Sequence, residues 1–201
     1  MTGPEPGGSP APESPQPSAW QPAPPPGPPK DPGPAPGVAY SDLRFRVLAY
    51  IIDAVIVGVL NLVVSVLLLD VGLAFSDTLG WIIGLVFVTA FNVAFSALYF
   101  IYSWTKLRAS PGQKILGLET LNAADGATLT QPQAIRRWLI LFGPFALLSA
   151  LQVVVGGTLG NLFSLASLGY GIYLLWTTYK DPKRQGFHDH FAATVVTRRS
   201  A

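Results

Sequence analysis

The chain has 201 residues, of which 50% are hydrophobic and only 12% charged, with a mean hydropathy of +0.41; soluble domains carry about 25% charged residues, so an ordinary soluble fold is excluded. The absence of cysteine excludes disulfides and thiolate metal sites, and a net charge of +2 is too small to point to nucleic acid. Nearly all the charges lie outside long apolar runs, which is the pattern of a chain that uses the lipid bilayer as its partner.

Residues 1 to about 37 hold fifteen of the nineteen prolines, interleaved with Gly, Ala and Ser. Nothing there has the apolar periodicity of a core, so a disordered tail with polyproline II character is expected over residues 1–40. It lacks the basic start and apolar stretch of a signal peptide. The run Pro25-Pro26-Gly27-Pro28-Pro29-Lys30 is either a solvated spacer, which its composition favours, or a docking segment for a protein partner.

A transmembrane domain is expected over 41–201, with crossings at about 47–69, 81–103, 138–155 and 159–177. Each is near the ~20 residues that span ~30 Å of hydrocarbon. Only Gly156-Gly157-Thr158 separates the last two. A single helix of about forty apolar residues would overshoot the bilayer, so the glycines are read as a tight turn.

The thirteen basic residues fall before the first crossing (Lys30, Arg44, Arg46), between the second and third (Lys106, Arg108, Lys114, Arg136, Arg137) and after the fourth (Lys180, Lys183, Arg184, Arg198, Arg199). None falls in the other two connections. Positive residues stay in the cytoplasm, so four crossings in the cell (inner) membrane with both termini cytoplasmic are expected. The connection from about residue 105 to 133 is too long to be idle. Its apolar Ile115, Leu116, Leu118 and Leu121, the turn cluster Asn122-Ala123-Ala124-Asp125-Gly126 and then Ala127-Thr128-Leu129-Thr130 read as a short hairpin. Thr130, Pro132 and Gln133 start the third crossing, and Thr194-Val195-Val196-Thr197 is a strand that pairs with the hairpin. The predicted fold is therefore all-α, a four-helix transmembrane bundle with a short cytoplasmic β-hairpin.

An ionisable side chain inside a spanning helix costs about 2.5–3.5 kcal/mol near the bilayer centre, so Asp53, two turns into the first crossing, demands a reason. It is either a proton or cation site or a buried polar residue that fixes helix register. Arg46 lies seven residues earlier, ~20° off the same face and ~10 Å nearer the cytoplasm, with Ala49 between them, small enough to admit another helix. Because helical side chains lean toward the amino terminus and Arg46 snorkels outward, Asp53 should find its partner elsewhere. Hydroxyl or indole donors of other crossings and a basic side chain of the hairpin are the candidates. Asn61 and Asn92, near the middle of the first two crossings, offer interhelix polar contacts or an ion path. Pro144 should kink the third crossing and free a carbonyl. Gly80-xxx-Gly84 and Gly156-xxx-Gly160 permit close packing, within the chain or in a homo-oligomer.

No metal or cofactor is expected. His188-Asp189-His190 are adjacent and do not converge on one ion, and Ser110-Pro111-Gly112-Gln113-Lys114 lacks the spaced glycines and the hydroxyl residue of a phosphate loop. Nucleophile and base arrangements are not legible, so the chain is not expected to be an enzyme.

Four segments together resemble the RDD family of small bacterial integral membrane proteins, named for one Arg and two Asp positions. They are Arg46-Val47-Leu48-Ala49-Tyr50-Ile51-Ile52-Asp53, Ser110-Pro111-Gly112-Gln113-Lys114-Ile115-Leu116-Gly117-Leu118, Arg136-Arg137, and Gln185-Gly186-Phe187-His188-Asp189-His190-Phe191-Ala192-Ala193-Thr194-Val195-Val196. The resemblance implies that Arg46, Asp53 and Asp189 are the charged triad. From it we expect Asp189 to fold back under the bundle and meet Arg46, leaving Asp53 deeper and available. A double charge swap of Arg46 and Asp189 should then restore what either change alone weakens. Four crossings depart from the commoner three-crossing description of the family.

Two functions follow as expectations. One is a small cation or proton-coupled transport unit using Asp53. The alternative is a membrane adaptor or assembly factor that presents the proline-rich tail and a basic cytoplasmic surface.

Overall fold

A computed structural model describes residue 3 and residues 38–73 and 78–199, and the fold below is that of the unit Asp31–Ala201. The expected disorder and docking run of the tail lie outside the described residues. In chain order the elements are β1 Val38–Tyr40, α1 Leu43–Leu73, α2 Thr78–Lys106, α3 Pro111–Ile115, β2 Leu118–Asn122, α4 Gln131–Val155, α5 Gly157–Lys180, α6 Phe187–Ala192 and β3 Thr194–Arg199.

Four of these helices, α1, α2, α4 and α5, are long and apolar enough to cross a membrane. Their outward faces are apolar, with Leu98 70% and Val154 78% exposed, which suits lipid and not water. Gly156 and Gly157 both have positive φ (63° and 55°), the backbone that folds α4 tightly onto α5. Gly160 lets the two helices stay close, since a Cβ there would sit 2.9 Å from the Gln152 carbonyl oxygen. Pro144 lies within α4 and cannot bond the carbonyl four residues back. That carbonyl, on Ile140, instead receives the Tyr170 hydroxyl of α5.

The three strands form one antiparallel sheet in the order β1-β3-β2. Strand β1 precedes α1, β2 follows α2 and β3 follows α5, so both ends of the described stretch 38–199 and the α2–α4 connection share one side of the bundle. Val38–Tyr40, counted with the tail in the sequence reading, pair with Thr197–Arg199 as β1. The hairpin is reshaped: Ile115 belongs to α3, β2 pairs along its length with β3, and the expected second arm keeps a single bridge, Leu121 to Thr128. The cause is competition for that arm. Leu129 is buried with Phe100, Trp104, Trp138 and Leu174, and the Thr130 N–H donates to the Gln133 side chain at 3.0 Å to start α4.

Candidate functional site

The sheet end of the bundle buries charge while the long helices turn hydrocarbon outward, an inversion of a soluble protein. Asp189 is its centre. It sits on α6, held beneath α1 and α4 by β3, and is completely buried. Arg46 Nη1 donates to Asp189 Oδ2 at 2.8 Å, while its Nη2 and Nε donate to the carbonyls of Val196 (3.1 Å) and Ser41 (3.2 Å). Arg137 Nη1 donates to Asp189 Oδ1 and to Thr194 Oγ1, and its guanidinium lies 5.0 Å from the centre of the Trp104 ring. The Gly186 N–H adds a donor to Oδ2 at 3.1 Å. One carboxylate thus holds two arginines and the N-terminal N–H of its own helix, while Arg46 ties the backbone of Ser41 and Val196 to the same cluster.

Arg46 and Asp189 meet as the folded-back geometry requires, but Arg137 makes the pair a triplet. In the sequence it stood only as one of the basic residues between the second and third crossings, beside Arg136. The missed signal is helical phase: Ala134, Arg137, Trp138 and Leu141 are the buried residues of α4 and follow the spacing of one face, whereas Arg136 points outward.

Asp53 stands apart from that triplet and is also completely buried. Tyr99 of α2 donates its hydroxyl to Oδ1 at 2.8 Å, the Gly112 N–H donates to the same oxygen at 2.8 Å, and Ser110 Oγ donates to Oδ2 at 2.5 Å. One donor is a hydroxyl from another crossing; the other two come from the α2–α4 connection. Ser110 caps α3 reciprocally with Gln113, so Asp53 fastens this short helix against α1. The closeness permitted by Ala49 is used by α3, with Gly112 at the contact. Among the described residues no Lys, Arg or His lies within ion-pair distance of Asp53. The two buried carboxylates are therefore treated unequally, Asp189 receiving two cations and Asp53 only neutral donors.

Above the triplet two cavities occupy the bundle. The first, about 820 Å3, is bordered by Arg46, Tyr50, Asp53, Asn61 and His188 and is otherwise mainly apolar. The second, about 710 Å3, extends between α2 and α4 as far as Val86 and Val154. Asn61, Ser96, Phe142 and Phe145 line both, so the cavities share a wall halfway along the bundle. Asn61 Oδ1 is buried with no hydrogen-bond partner among the described residues. Asn92 lines the second cavity and donates to its own helix, at the Val88 carbonyl (2.8 Å).

The two histidines are held by different carboxylates. His190 bonds Asp181 at 2.9 Å, while His188 lies 3.5 Å from Asp189. Burial, reinforced by Arg137, Arg46 and His190, holds the His188 pKa well below its ordinary 6.5. The neutral ring is the one the fold accepts. The unfolded chain binds the proton first as pH falls, so this contribution to stability is complete above pH 6.5 and declines below it. His188→Gln should flatten the acid side of the stability profile, measured as unfolding midpoint against pH from neutral to 5; an unchanged slope would exclude His188 as its source.

The sequence profile described as the RDD family matches residues 40–193. No curated protein and no solved structure matches the chain.

Proposed function

The chain belongs to the RDD family, whose members are membrane proteins, and from that premise we propose that it is a small proton- or cation-coupled transport unit with Asp53 on the path. The observation that carries this reading is a fully buried carboxylate without a cationic partner, bordering a cavity that shares its far wall with a second one. Asp53, Asn61 and Asn92 lie along that route in order. In this reading a proton or cation neutralises Asp53, the charge-assisted bonds from Ser110 and Gly112 weaken, and α3 loosens its hold on α1. The distribution of Lys and Arg supports a cell-membrane orientation with the sheet end and both termini in the cytoplasm.

The test is proton, Na⁺ and K⁺ flux in liposomes reconstituted with wild-type protein and with Asp53→Asn. Asparagine keeps an acceptor for the surrounding donors, so unfolding midpoints should stay close. Flux by the wild type that falls to the level of empty liposomes in the variant is expected. No flux from the wild type in any of the three gradients, alone or in exchange for an organic cation, would sink this reading and move the chain to the adaptor class.

A further inference from the structure

We propose that the natural substrate is a lipophilic organic cation that enters from the bilayer and seats in the first cavity under the field of Asp53. The inference rests on the transport reading and narrows its substrate. An inorganic cation needs several oxygen ligands at about 2.0–2.6 Å, and among the described residues no cluster of three His, Cys, Asp or Glu side chains is assembled to anchor one; the other side-chain oxygens of the wall are the neutral ones of Tyr50, Asn61, Ser96, Ser167 and Thr178. The three known donors already occupy Asp53, and the remaining wall is largely hydrocarbon, including Phe100, Leu141, Phe142 and Phe145. A bare or hydrated ion would lose its water shell there without replacement.

The cavity instead has the dimensions of an organic ligand site, since about 820 Å3 falls within the ~300–1,000 Å3 of drug-sized pockets. Its mouth faces the lipid. Gly58 of α1 and Leu168 and Ile172 of α5 line the cavity and are exposed on the outer surface, the last two by 62% and 58%. A cation whose charge is spread within an apolar shell does not need to touch a carboxylate oxygen. It is attracted through a wall of low dielectric, where an uncompensated charge acts at longer range than in water. This is the situation of Asp53, covered by its donors yet without a counter-cation. Arg46 borders the other end of the cavity, two helical turns toward the sheet. With Arg137 and Asp189 it forms a cluster of net positive charge, which directs a cation to the deeper, Asn61 end and away from entry at the sheet side. An anionic amphiphile would meet the opposite order, with Asp53 lying against its buried portion.

Tetraphenylphosphonium is the probe. Its binding to the full chain in lipid nanodiscs, measured by equilibrium dialysis with and without excess NaCl, should be saturable and insensitive to Na⁺. Asp53→Asn should weaken it by about tenfold or more. Gly58→Phe supplies the independent check. A Cβ at position 58 meets nothing within 4 Å, so the ring beyond it should enter the mouth without disturbing the donors of Asp53, and should weaken binding while leaving the unfolding midpoint unchanged. Equal binding by wild type and Asp53→Asn, or by wild type and Gly58→Phe, would overturn the proposal. Asp53-dependent proton or Na⁺ flux without saturable tetraphenylphosphonium binding would overturn the substrate class and leave the transport reading standing. Absence of both flux and binding would remove the two together.

Discussion

Replacing Asp189 with alanine is expected to lower stability by about 3–5 kcal/mol, the cost of leaving a buried ion pair without one partner. Arg46 and Arg137 are 4% and 0% exposed, so neither guanidinium can turn to water, and without the carboxylate they are left facing each other. Arg46 keeps the Ser41 and Val196 carbonyls and Arg137 keeps Thr194, which limits the loss but does not remove the repulsion. The triplet also alters the charge-swap experiment. If Arg46 and Asp189 formed a simple pair, Arg46→Asp combined with Asp189→Arg would restore the bond. Here the second change sets a guanidinium against Arg137, so the double variant should unfold as readily as the worse single one. Denaturation in detergent, followed by circular dichroism, compares the four proteins; a double variant as stable as the wild type would mean that Arg137 contributes nothing to the cluster.

Much of the bundle was legible because the bilayer imposes a length and a hydrophobicity that few other elements meet. The glycine turn at 156–157 and the carbonyl freed by Pro144 follow from backbone chemistry that one residue decides. The sheet was less legible. Leu118–Asn122 and Thr194–Arg199 are far apart in sequence and pair only because α6 returns the chain beneath the bundle. No local rule specifies that return, and the segment with the best hairpin pattern gave Leu129 to the core instead. Asp53 and Arg46 drew attention by the expense of charge in a spanning helix. Arg137 did not, since a basic residue at a helix start already has an ordinary explanation at the headgroups. Its part in the cluster depends on the phase it shares with Ala134, Trp138 and Leu141. A hydroxyl from another crossing was expected for Asp53 and Tyr99 supplies it, but the other two donors were hidden: Ser110 and Gly112 resembled a failed phosphate loop, and their value lies in placing a hydroxyl and a backbone N–H against a carboxylate 57 and 59 residues earlier.

That loop gives the second large effect. Gly112→Ala should lower stability by at least the ~1–3 kcal/mol typical of an overpacked core, and should remove Asp53-dependent flux although Asp53 itself is intact. An alanine Cβ would fall 2.3 Å from the Ala49 carbonyl oxygen and 2.9 Å from Asp53 Cγ. The first neighbour is helix backbone, which cannot give way as a flexible side chain would, so α3 must move off α1. Such a shift stretches the Gly112 N–H bond to Asp53 and the Ser110 bond beside it, and the buried carboxylate loses two of its three donors at once. Ala49→Gly should not rescue the variant, because the collision is with the carbonyl oxygen and not with the methyl group. Gly58→Ala is the matched control, on the same α1 helix with open space around its Cβ, and should stay within about 0.5 kcal/mol of wild type. Unfolding midpoints and reconstituted flux for these variants separate a steric lesion at the α1–α3 contact from a general cost of adding a methyl group. If Gly112→Ala were as stable and as active as Gly58→Ala, the fastening of α3 by Asp53 would have no part in holding the fold or in its function.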